Sequence, residues 1–204
     1  MNVRLAPLLS LLAAAAGLLA TAGCQILPEA QSDPTRFYVL TTAAGGAVPV
    51  TGAPVVQVRS VEVAEYLRAR AMVVRRGGNE IEFREFARWG EALDAGVARV
   101  LREELLARGA ASAVLLSGAR RETTKADFDL QVRVLAAEGG ANGAVEFRAA
   151  WELRRSDGGE SAARGEFRAA GVRWDGKNEA ALAAGLSEAV GALAAEIAAA
   201  LPKP

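Results

Sequence analysis

Cys24 is the one cysteine in a chain of 204 residues that has no histidine. It closes the segment Thr21-Ala22-Gly23-Cys24, behind a basic start at Arg4 and an apolar run from Leu5 to Ala20. A thiol set after small residues at the end of such a run is the pattern of a bacterial lipid-attachment signal. The thiol is acylated, the leader is cut in front of it, and the mature chain begins at lipid-bearing Cys24. Thr21 stands where these signals more often carry Leu. The run is too short to cross a bilayer. Each acyl methylene buried in a membrane contributes about 0.8 kcal/mol, and two chains hold a protein there stably. The sequence thus divides into a leader (1–23), a lipidated tether (24–35) that is polar and contains Pro28 and Pro34, and a periplasmic domain (36–204). Gln25 follows the cysteine. Asp at that place favours the inner membrane in enterobacteria-like sorting, so Gln25 points to the cell outer membrane.

Other reactive constellations are weak. Without histidine the chain lacks the commonest general base and nitrogen metal ligand. Gly185-Leu186-Ser187-Glu188-Ala189 approaches a serine-hydrolase elbow, but it lies within a helical pattern, lacks the last glycine and has no histidine partner. Asp127 and Asp129 read as alternate carboxylates on the wet side of a strand. The arginine pairs 75–76, 120–121 and 154–155 fall near turns and strand ends and read as solvated. The Gly-Gly pairs read as turns or linkers, with no phosphate-binding loop among them. Trp151 occupies the apolar phase of its strand, while Trp89 and Trp174 flank elements. The expectation is a non-catalytic protein with no cofactor and no metal site.

The elements that would carry these residues are legible from periodicity. Phe37 to Leu40 reads as a first strand and Val55 to Val63 as a second, with a slip in phase near Arg59-Ser60 that suggests a bulge. Met72–Arg75 and Glu80–Phe86 read as a hairpin around 76–79. Leu93, Val97, Val100, Leu101 and Leu105 fall on one helical face, with Gly109 placed as a C-terminal cap. Ala113–Leu116, Asp127–Leu135, Val145–Leu153 and a strand through Phe167 and Ala169 form the second half, apolar on one side and charged on the other. An alanine-rich helix from about Asn178 to Leu201 closes the chain. Together these predict a single-domain α+β fold, a largely antiparallel sheet with two long amphipathic helices on one face.

Composition sets bounds on partners. Basic and acidic side chains balance at 24 each, and removal of Arg4 with the leader leaves 23 against 24. That excludes the basic surplus nucleic-acid binding calls for. With Cys24 acylated no disulfide forms, so stability rests on the core.

Several blocks together resemble the ABC-type transport auxiliary lipoproteins, the PqiC-like family. They are the lipid-attachment signal, Phe37-Tyr38-Val39-Leu40, the stretch from Val61 to Arg75 with its Tyr66-Leu67, and Ala87-Arg88-Trp89-Gly90-Glu91-Ala92-Leu93 followed by 99–105. The chain departs from the family pattern at Ala64, Ala71 and Ala92, where prolines are common in the first two. The resemblance implies an accessory role beside ABC transporters whose partner carries an MCE (mammalian-cell-entry) domain and which move phospholipids or other hydrophobic molecules. It also implies an outer-membrane position and a homo-oligomeric ring. Tyr66, Leu67, Arg88 and Trp89 are its candidates for partner contact. Two other readings compete: a lipoprotein that regulates an envelope (peptidoglycan) enzyme, and direct lipid carriage, which needs an apolar cavity of several hundred cubic ångströms.

Overall fold

The computed structural model describes residues 32–43, 45–46, 50–118 and 124–203. Cys24 and the pair 120–121 lie outside them. Thr35–Pro204 forms one compact unit.

Among the described residues eight strands make one open sheet: β1 (Arg36–Tyr38), β2 (Val55–Val63), β3 (Ala71–Arg75), β4 (Ile81–Trp89), β5 (Ala113–Leu116), β6 (Phe128–Gly140), β7 (Val145–Arg155) and β8 (Ser161–Arg168). Among the described residues two helices accompany it, α1 (Leu93–Ala107) and α2 (Glu179–Ala200), and a short 3₁₀ turn, Glu65–Arg68, joins β2 to β3.

The α+β class expected from the periodicity is the one found. The longest ladder, β6–β7, is antiparallel, as are β7–β8 and the predicted hairpin β3–β4. The sheet widens by parallel pairings that the sequence did not announce: β1 with β4, and β2 with both β5 and β6. A further parallel pairing joins β3 to β6. β6 also runs to Gly140, five residues beyond the predicted Leu135. Its Gly139 and Gly140 are strand residues and not a turn or linker. Gly139 is required there, because a Cβ would lie 2.5 Å from Cζ2 of Trp174.

β6 is where the sheet forks. β2 follows one edge of β6 from Val56–Phe128 to Val63–Val134, with the predicted bulge between Val58 and Ser60. The chain then leaves through the 3₁₀ turn, and β3 takes up the same edge at Gly139 and Gly140.

α1 ends in a Schellman motif. The Gly109 amide donates to Leu106 O, the Ala110 amide donates to Leu105 O, and Gly109 has φ +64°. Asn178 caps α2 by accepting from the Ala180 amide at 2.9 Å. α2 is long and apolar enough to cross a membrane by length and composition alone. It is instead packed as a core helix, with Leu182, Val190, Leu193 and Ile197 buried. Both helices cover the apolar face of the sheet, where Val97, Val100, Leu105, Leu130 and Leu153 fill the interface.

Candidate functional site

The residues singled out from the sequence sit around the fork. Leu67 and Trp89 are buried in the core, so neither offers its side chain to a partner. Arg88 is exposed on β4, on the opposite phase from Ala87 and Trp89. Tyr66 is half-buried. Its hydroxyl donates to Glu138 Oε2 at 3.0 Å and approaches Leu135 O at 3.4 Å.

Glu138 is the centre that sequence reasoning missed. It is 1% exposed and also accepts from Nε of Arg75 in a close ion pair. Burial, and then the charge of Glu138, push the Tyr66 hydroxyl up to about 12. The bond to Glu138 raises Arg75 above the usual guanidinium value. The available signal was a lone acid in the apolar run Leu135-Ala136-Ala137-Glu138-Gly139. A buried acid in such a run needs partners, and the fork supplies two.

The remaining candidates have structural partners. Ser187 donates to Ala183 O at 2.7 Å within its helix and accepts from the Thr41 amide at 3.0 Å. Asp127 accepts from the Val55 amide, and Asp129 pairs with Arg59. Arg75 and Arg76 pair with Glu138 and Glu82, while Arg154 and Arg155 pair with Glu152 and Asp157. Trp151 and Trp174 are buried like Trp89. Among the described residues no group of three or more His, Cys, Asp or Glu gathers as a metal site would require.

Two surfaces stand out. The outer face of β2, β6, β7 and β8 carries a groove of about 620 Å³ lined by Glu62, Arg133, Glu152, Arg164 and Glu166, among others. Arg133 pairs with Glu62 across it at 3.1 Å. On the same face Arg148 stands directly opposite Arg168 in the β7–β8 ladder. Two like charges in that relation repel. The second surface lies on the arm formed by β1 and β4, where Phe37, Val39, Phe83 and Phe86 are exposed. This arm was also missed: Phe37 read simply as strand, and the β4 bulge opposite β3 breaks the alternation that would place Phe83 and Phe86. The arrangement offers surfaces for docking, and among the described residues no nucleophile, base and orienting group are assembled.

Comparison with known proteins agrees with the fold. No curated protein sequence matches the chain. An uncharacterized protein of known crystal structure superposes with a TM-score of 0.64 at 17% identity, covering 81% of this chain and 97% of that one. Protein XCC0632 from Xanthomonas campestris, of family DUF330, gives 0.64 at 19% identity, covering 80% and 93%. At those identities the likeness is one of fold. The model of the ABC-type transport auxiliary lipoprotein component matches residues 38–198, and the chain belongs to that family.

Proposed function

We propose that the mature chain is a non-catalytic accessory subunit, anchored through acylated Cys24 to the outer membrane and facing the periplasm. It serves an ABC transporter whose partner carries an MCE domain and which moves phospholipids or other hydrophobic molecules through the envelope. The observation that carries this reading is the family match across nearly the whole folded domain, together with the lipid-attachment signal ahead of it. The surfaces support it. A mixed-charge groove and an exposed apolar arm suit docking, and the space between sheet and helices is filled by the protein's own side chains. A homo-oligomeric ring is the arrangement the family resemblance implies.

The test is purification of the tagged lipoprotein from cells cross-linked in vivo, in mild detergent, followed by mass spectrometry. Recovery of an MCE-domain protein with its ATPase and permease is expected, and ladders of cross-linked tagged chain count the copies. Recovery of peptidoglycan enzymes alone would replace this reading with the regulatory one.

A further inference from the structure

We infer that the β1–β4 arm is a membrane-contact site, in which Phe37, Val39 and Phe86 enter the interface of an anionic phospholipid bilayer while Arg88 meets its phosphates. The inference rests in part on the Cys24 anchor proposed above.

Exposed large apolar side chains are concentrated here. Phe37 is 65% exposed, Phe86 48% and Val39 48%. β1 and β4 pair in parallel, with Phe37 opposite Arg88, so Phe86 lies two residues away on the same side. A Cβ at Gly90 would lie 3.2 Å from Val39 Cγ1 and 4.0 Å from Phe37 Cβ, which brings the end of β4 against both side chains. The exposed apolar side chains therefore lie on one side of the two strands. Cationic groups flank them. Arg88 is exposed on the same side as Phe37 and Phe86, and Arg70 reaches Gly90 O with Nη1 at 3.3 Å, whereas Arg36, in register with Ala87, stands on the other side of β1. Glu85 is the acid on the same stretch of β4. Aromatic rings flanked by arginines match the bilayer interface, which takes an apolar body and a cationic head together.

The occupant follows from where the chain goes. Eleven residues separate Cys24 from Arg36. Fully extended they span roughly 40 Å, and as a flexible coil about 20 Å. Arg36, the first residue of β1, is also the first residue of this arm. A patch of modest intrinsic affinity is thus presented to lipid at high effective concentration.

The experiment uses the mature chain carrying Cys24→Ser, which lacks acyl chains, and vesicles of phosphatidylethanolamine with phosphatidylglycerol. The chain is expected to co-sediment with these vesicles and to release in high salt. Phe37→Ser combined with Phe86→Ser should lower the partition coefficient at least about tenfold. Arg88→Gln should lower it about fivefold. The indole introduced by Phe37→Trp should be quenched by brominated lipid, whereas buried Trp89, Trp151 and Trp174 stay unquenched. Absence of vesicle binding, or equal binding by the double phenylalanine variant, overturns the inference. Loss of self-association in that variant with unchanged vesicle binding would assign the patch to a second copy of the chain. Labelling of the intact chain in cells with radioactive palmitate tests the Cys24 anchor separately, so failure of either reading can be told from failure of the other.

Discussion

Tyr66 donates its hydroxyl proton to Glu138 across 3.0 Å, and that bond ties the 3₁₀ turn to the strand on which the sheet forks. β2 has just left the edge of β6 and β3 has yet to join it, so that edge of the strand has no ladder partner there, while β7 stays paired along the other. The Tyr66 hydroxyl, the Ala64 amide donating to Val134 O and the Arg75 guanidinium serve the polar groups of this gap.

Breaking the tie should destabilise the domain without touching any exposed surface. Tyr66→Phe is expected to cost about 1–2 kcal/mol, because it leaves a buried carboxylate one donor short. Glu138→Ala should cost about 3 kcal/mol, since it removes a buried charge that two partners satisfy. Urea unfolding monitored by circular dichroism measures both. A shift below about 0.5 kcal/mol in each would mean that the fork is held by packing alone.

The same bond makes an alkaline prediction. The Tyr66 hydroxyl is raised from 10.0 to about 12 in the folded state. The raised value favours the protonated form in the fold, so its contribution is complete below pH 10 and is lost as pH rises toward 12. The thermal midpoint of the native chain should fall more steeply through that window than that of Tyr66→Phe. Parallel curves would contradict the assignment.

Gly139→Ala should cost about 1–3 kcal/mol, because the added methyl meets the rigid ring of buried Trp174. Gly77→Ala on the β3–β4 turn, where a Cβ meets nothing within 4 Å, is the control and should stay within about 0.5 kcal/mol. Denaturant midpoints of the two variants give the comparison.

Arg168→Glu should stabilise the fold by about 0.2–1 kcal/mol, because it replaces a repelling pair with an attracting one opposite Arg148. A variant that gains stability yet loses recovery of the partner subunits in the cross-linking experiment would place this pair at the docking face. Unchanged recovery would leave the face uninvolved.

Leu193→Ala in α2 should cost about 2–5 kcal/mol, as for other fully buried leucines. Phe37→Ser should change stability by no more than about 0.5 kcal/mol, because its ring already faces solvent. Thermal melts of the two variants separate core from surface.

What sequence alone could determine is what local period and local chemistry carry. α1 and α2 were legible because their leucines and valines recur at helical spacing between a cap residue and a stop: Gly109 in the left-handed region for α1, Asn178 at the start of α2. The strands β2, β5 and β7 were legible from apolar runs or alternation, and the bulge at 58–60 from a slip of phase. The lipid-attachment signal proposed at Cys24 is a linear motif and needs no fold to be read. Pairing direction was decided only by the tertiary structure, because the alternation of a strand records which face is buried and says nothing of its neighbour or its sense. Hence the parallel pairings and the sharing of one β6 edge by β2 and β3 were not foreseen. Leu67 and Trp89 went to the core for the same reason: their neighbours along the chain do not reveal what packs over them. Glu138 acquires its partners from residues 63 and 72 positions away, and Phe37 comes to the same side of the sheet as Phe86 only across a ladder closed by folding.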